Sequence, residues 1–417
     1  MTPLRLCHFP TPSTYAEMLS PRRILQLSFL AALVIIVACL QMLSNPATPD
    51  GKTTGANRLA EGIDASTPRA HNYPSDVLGS TDLALSIPFR SGLPKPPGDS
   101  YTRHMVIPRM KEDNLSWIAI ELPGTSLTIY TADEPTAPDH PPRNRGHEVM
   151  IYLTYIIEHY RRLPDIILFM HSHRFTHHNN EILGYDAGEM VRRLSNEHIT
   201  RAGYVNMRCN WDPGCPEWLH RNPTKAALNK QEEEVLSECW EELFPQHPVP
   251  EVLGQTCCAQ FALSKERIHS IPLSRFIFFR DWILRTPLVD YISGRIWEYS
   301  WQFLLTGESV VCPAEHVCYC DGFGLCFGGE AGYRDFVLLW RTKQDYELEI
   351  RGHRAQNPPS TSSMETLDPD RLSYLEYQVG ALDRELAARK QEAIERGNVP
   401  QIRAEECGRM WKDGDGF

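Results

Sequence analysis

The chain has 417 residues, 42% of them hydrophobic, which is enough for one large domain or two small ones. Its formal net charge of −11 argues against a nucleic-acid or phosphate-backbone partner.

In chain order, the first feature is Ile24 to Leu43, an uncharged segment of about 20 residues, the length that crosses a bilayer. Arg22 and Arg23 precede it and no basic residue follows until Lys52, so the positive-inside rule puts residues 1–23 in the cytosol. The long lead and long span predict an uncleaved signal anchor at 24–43 rather than a signal peptide. The remainder is then expected in the lumen of the secretory pathway, Golgi or endoplasmic reticulum. Residues 44–102 are rich in Pro, Gly, Ser, Thr and Asp without periodicity and read as a disordered stem.

A compact α/β domain is expected over 103–342. His104 to Ile107 and Leu127 to Thr131 are short β-prone runs, with Trp117 and Ile118 on a helix or turn between them. Asn114-Leu115-Ser116 is a glycosylation sequon, usable in a lumen, although it lies close to the first strand. Asn144 is placed to cap a helix whose Val149, Leu153, Ile156 or Ile157, Tyr160 and Leu163 recur at helical spacing, and Pro164 stops it. Ile166 to Met170 is an unbroken apolar run that suits a central strand covered on both faces. The strand–crossover–strand rhythm predicts a single doubly wound, mainly parallel sheet. Later come a helix-like stretch at 188–196, a charged helix at 230–243 and a strand ending at Ser264, which caps the next helix. Two closing helices hold Arg280-Asp281-Trp282 and Gly294 to Trp301, and folded sequence is expected to end near Arg341.

Of twelve cysteines, Cys7 and Cys39 lie before or inside the span, leaving ten in the lumenal part. An even set there reads as disulfides. Cys312, Cys318, Cys320 and Cys326 form the tightest group, and disulfides are favoured over zinc because paired C-x2-4-C hooks are missing. Adjacent Cys257 and Cys258 are expected to take different partners. Residues 343–363 read as a linker and 397–417 as a tail. Between them, 364–396 is an amphipathic helix in which Leu372, Leu375, Val379, Leu382 and Leu386 make a short heptad seam. Packing on its own domain is expected there ahead of weak self-association.

Chemistry gathers where the apolar strand ends in His171-Ser172-His173. Open α/β sheets bind ligands at that edge, and residues two apart in an extended chain share a side, so His171 and His173 could converge on a divalent metal or a substrate. A crossover helix starts at the same edge, which brings Asn144, Arg145 and Glu148 beside the histidines. Free helix N–H groups and the guanidiniums of Arg143 and Arg145 suit an anion, whereas Glu148 opposes it. A solvated loop is an equal reading for these arginines. Candidate general bases are Glu148, Asp212, Asp281 and Glu298. Glu298 sits among Trp297, Tyr299 and Trp301, an apolar setting that raises a carboxyl pKa, with an ion pair to Arg295 as the bland alternative. Asp281 and Glu298 are the catalytic candidates. Asn144, Arg145, Glu148 and Gln260 are the candidates for substrate binding.

His104 to Trp117, Asn144 to Phe169, Gly203 to Arg208, Cys257 to Ile268, Arg280 to Trp282 and Gly294 to Trp301 together resemble an uncharacterised fungal domain family, domain of unknown function 3431. More remotely, Asn144-Arg145-Gly146-x-Glu148 followed by helix and strand is similar to sugar-transferring enzymes. The resemblance implies a glycosyltransferase-A-like fold acting on a nucleotide-sugar or other phosphate-bearing substrate. In that fold an acidic D-x-D holds the metal and diphosphate where this chain has His171-Ser172-His173, and imidazole favours zinc-like ions over hard cations. Two other classes stay open. One is a zinc-type hydrolase built on the His171 and His173 cluster with His177 and His178 following; the other is a non-catalytic binding protein.

Overall fold

The computed structural model describes residues 91–222, 230–356 and 369–417. The expected anchor and most of the stem lie outside them, and among the described residues no helix is long and apolar enough to cross a membrane.

The strands are β1 (Arg103–Arg109), β2 (Leu127–Thr131), β3 (Ile166–Phe169), β4 (Tyr204–Asn206), β5 (Leu219–His220), β6 (Val252–Gln255), β7 (Phe261–Ser264) and β8 (Val310–Val311). The main sheet has the order β2-β1-β3-β7-β4, and β5, β6 and β8 form a small second sheet. β1 runs parallel to β2 and β3, while β7 is antiparallel to both β3 and β4. The sheet is therefore mixed rather than mainly parallel, with four of its five strands sharing one direction. The expected α/β architecture and the interior place of Ile166–Phe169 both hold.

Helices of the first half are α1 (Ser116–Glu121), α2 (Glu148–His159), α3 (Ala187–Arg193), α4 (Asn196–Ala202) and α5 (Glu232–Leu243). Then follow α6 (Lys265–His269), α7 (Leu273–Arg285), α8 (Asp290–Glu298), α9 (Trp301–Thr306), α10 (Glu315–Val317), α11 (Gly329–Gln356), α12 (Pro369–Gly397) and α13 (Pro400–Glu406).

Side chains alternate across a strand, and that alternation divides the interior in two. Val106, Ile167, Phe169, Phe261 and Leu263 face a core shared with α2, α7, α8 and α9, whose largest members include Trp240, Trp297 and Trp301. Met105, Ile107, Leu168, Met170 and Ala262 face the other core, shared with α3, α4, Tyr319, Phe336 and Leu386. A strand buried on both faces needs apolar residues at every position, which is why β3 is a continuous apolar run.

Local signals explain several boundaries. The Ser264 side chain accepts the Arg267 N–H and caps α6 as its sequence suggests. Asn144 does not cap α2. The helix starts at Glu148, after Gly146 (φ 69°) and His147 (φ 53°) turn the chain in the left-handed region. Gly146 is required twice over, since a Cβ there would meet Ile283 Cγ2 at 2.7 Å.

Folded structure also runs past Arg341. Residues 343–356, expected in a linker, are the second half of α11. Lys343 pairs with Glu347 and with Asp383 of α12, and Arg371 of α12 pairs with Glu349. The seam residues Leu375 and Leu386 are buried within this chain.

Four disulfides close the described part: Cys209–Cys318, Cys215–Cys312, Cys257–Cys258 and Cys320–Cys326. The expected oxidation of the 312–326 group holds. Cys257 and Cys258 depart from expectation by bonding to each other, with Cys258 (φ 87°) and Ala259 (φ 44°) in the left-handed region beside the bond.

Candidate active site at the carboxyl edge of the sheet

Four pieces of chain meet where β3 ends. β3 delivers His171, α2 begins with Glu148, the entry to β7 carries Cys258, and α8 supplies Tyr291, Gly294, Arg295 and Glu298. With His147 and His178 they line a cleft of about 230 Å³. The four α8 residues are spaced i, i+3, i+4 and i+7, so one helix face forms a whole wall.

The floor is held by buried amides. The Gln260 Oε1 accepts the His171 N–H at 3.0 Å, and its Nε2 donates to the His178 carbonyl at 3.1 Å and to Asn179 Oδ1 at 3.0 Å. Asn179 in turn donates to the carbonyls of Arg174 and Tyr185. These amides tie the backbone of the loop after β3 into the protein, which fixes the histidines in place. His171 Nδ1 and His178 Nδ1 lie 2.8 Å apart, one donating to the other. His171 Nε2 is buried without a hydrogen-bond partner.

Electrostatics sort these groups. Burial, then the neighbouring His178, His173, His177 and His147, push the His171 pKa down to about 3. His178 falls to about 4 through burial, His177, Arg208 and His173. Both rings are neutral at pH 7. Glu148 is largely enclosed by protein, and burial with the nearby Glu298 carboxyl raises it to about 7 against a partly offsetting backbone hydrogen bond. Burial also raises Glu298, opposed by the Cys258 N–H, which its Oε1 accepts at 2.6 Å, and by the charge of Arg295. Arg295 is not Glu298's partner in an ion pair. Its guanidinium is bound to buried Glu232 at 2.7 Å.

Of the residues singled out from sequence, Glu148, His171 and Glu298 come together in the cleft. Gln260 lies behind it and supports the floor. Asn144 is exposed on the preceding turn. The Arg145 guanidinium turns away and donates to the carbonyls of Leu284, Thr286 and Leu288, near Asp290 at 3.8 Å, so it stitches α7 to α8 instead of offering an anion site. His173 is exposed, and Asp281 lies on α7 outside the cleft lining. His147, Cys258, Tyr291, Gly294 and Arg295 were not anticipated in the cleft; the i, i+3, i+4, i+7 spacing along α8 was the available signal for the last three with Glu298.

Among the described residues, two groups bring three metal-type donors within 4.8 Å of one another: Cys257, Cys258 and Glu298, and Cys320, Cys326 and Glu406. In both, the sulfurs are bonded to each other and offer no thiolate. Neither group includes His171 or His173.

No curated protein and no solved structure matches this chain. Residues 105–321, more than half of the sequence, match the family model described as Protein of unknown function (DUF3431), and the chain belongs to that family.

Proposed function

We propose that this cleft is the acid–base centre of a glycosyltransferase-like enzyme acting on a hydroxyl-rich sugar substrate. The observation that carries the reading is the Glu148 carboxyl, held at about pH 7 by burial and by Glu298. Proton transfer is most efficient when the donor pKa lies near the working pH. Two carboxyls whose surroundings push them apart divide the roles, as acid and base do in other sugar-active sites. The Cys258 N–H and Arg295 favour the charge on Glu298, so the pair's first proton is lost there and Glu148 keeps the second. Glu298 acts as base toward the attacking hydroxyl, and Glu148 protonates the leaving oxygen. Neutral His178, whose Nδ1 is held by His171, offers a hydrogen bond from its other ring nitrogen to a sugar hydroxyl without adding charge.

The lining cation, Arg295, is already committed to Glu232. The sugar and the bridging oxygen of the donor's sugar–phosphate bond, which Glu148 protonates as it leaves, are therefore assigned to the cleft, and the remaining phosphate groups of a nucleotide-sugar donor lie outside it. Placement at the carboxyl edge of a sheet covered on both faces supports the glycosyltransferase-A-like part of the reading. Four disulfides support a lumenal setting behind a signal anchor.

The test is turnover of nucleotide sugars and free glycans by the purified full chain across pH. The expected profile has a limb near pH 7. Glu148→Gln and Glu298→Gln should each lower kcat by about 10²-fold or more, while exposed His173→Ala leaves it unchanged. Turnover that survives both glutamine variants contradicts the assignment, as does failure on every sugar substrate tried.

A further inference from the structure

Arg275, in the first turn of α7, is 1% exposed, and none of its three guanidinium nitrogens has a hydrogen-bond partner. An arginine does not lose its proton inside a protein, and burial lowers this one only to about 10, so it is charged at neutral pH. Its neighbours are aromatic: the guanidinium carbon lies 4.8 Å from the Phe279 ring centre and 5.8 Å from that of Phe278. A ring face attracts a cation more weakly than lost hydration penalises it, so the rings alone leave the charge uncompensated. Other buried arginines here are served differently. Arg208 donates to the carbonyls of Asn210 and Asp212, and Arg403 to that of Asp321.

A second donor faces the same difficulty nearby. His247, after α5, has its Nε2 buried without a partner, and its ring stands edge-on to Phe303 at 5.3 Å. The Arg275 charge acts on it, lowering its pKa further after burial has done so. The Arg275 guanidinium against Phe279 and the His247 imidazole against Phe303 thus present donors and a positive charge without a hydrogen-bond partner.

We propose that Arg275 and His247 form a buried binding site for one small monatomic anion, chloride under ordinary salt. The depth of Arg275 excludes a bulky anion, and its net charge calls for an anion in preference to water. The ion ties the end of α5 to α7 and α9, behind the wall that carries Glu298.

The experiment uses the full chain at constant ionic strength, with chloride exchanged for gluconate. The melting temperature should fall by several degrees and be restored, saturably, by chloride or bromide. Arg275→Met should lose that dependence. Crystals grown in bromide should show an anomalous peak within hydrogen-bonding distance of the Arg275 guanidinium, a result that decides the matter even if the variant does not fold. Indifference to halide with no bromide peak at Arg275 overturns the proposal, and so does full halide dependence in Arg275→Met.

Discussion

Two enclosed carboxyl groups of this chain live in opposite surroundings. Burial alone would raise the pKa of Asp321, which is 5% exposed. The hydrogen bond and charge of His198 at 2.7 Å, with Arg201 at 2.9 Å and Arg409 at 2.8 Å, outweigh it and hold the acid well below the usual carboxylate range. Glu148, half-buried at the cleft, is also penalised by burial, but with no cation paired to it among the described residues and a second carboxyl nearby it rises to about 7. One acid is fully compensated and serves as a structural node joining α4, the π-helical turn Cys318–Gly322 and the chain after α13. The other is left uncompensated at the mouth of a cleft. An uncompensated group in a cleft, flanked by residues at φ 53° and φ 87°, is the combination that marks a chemical site more than a structural one.

The largest effect expected from this contrast is at Asp321. Asp321→Ala leaves Arg201, Arg409 and His198 facing one another, and breaking such a buried cluster costs about 3–5 kcal/mol. An unfolding free energy from urea titration within about 0.5 kcal/mol of wild type, the size of an ordinary surface change, would erase the distinction. Because the folded pKa of Asp321 is depressed, its contribution is present above its ordinary 3.8 and is lost as pH falls toward the folded value.

Glu148 carries the opposite sign. The native acid keeps its proton to about pH 7, the unfolded one only to about its ordinary 4.5, so between them the native state binds more protons. Its contribution to stability therefore falls as pH rises from 4.5 through 7. At pH 8 the cost is on the order of 3 kcal/mol. Glu148→Gln should recover most of it, raising the urea midpoint at pH 8 and leaving it nearly unchanged at pH 4. Equal midpoints at both pH values would show that Glu148 is ordinary.

The smallest change in stability is expected at the cleft wall. A Cβ on Gly294 would lie 2.5 Å from His147 Cδ2, so Gly294→Ala must displace that ring. Alanine's better helix propensity, worth about 1 kcal/mol, offsets the clash, and Tm should hardly move. The proposed sugar reaction should lose rate all the same. An unchanged kcat would remove His147 from the working part of the cleft.

How much of this was legible beforehand depends on the range of the interaction. β1, β2 and β3, the Ser264 cap and the charged helix at α5 rest on neighbouring residues, and the sequence patterns show them. Crossover geometry, in which a helix starts at the edge where its strand ends, also brings Glu148 beside His171. It failed for Arg145, because the carbonyls of Leu284, Thr286 and Leu288 that capture its guanidinium come from a turn nearly 140 residues away. The reversed strand β7 was equally hidden, since nothing in Phe261–Ser264 states its direction. Polar composition disguised residues 343–356 as a linker. Their helix is held by ion pairs to a partner helix that follows much later in the chain.

The central claim is that one glutamate of this chain titrates near neutrality. Carbon-13 NMR of the glutamate-labelled full chain, compared with Glu148→Gln, tests it most directly. The account predicts one carboxyl resonance with a midpoint near pH 7 that vanishes in the variant. Glutamates that all titrate in the ordinary acidic range, with the variant's spectrum lacking only one of those, would contradict it.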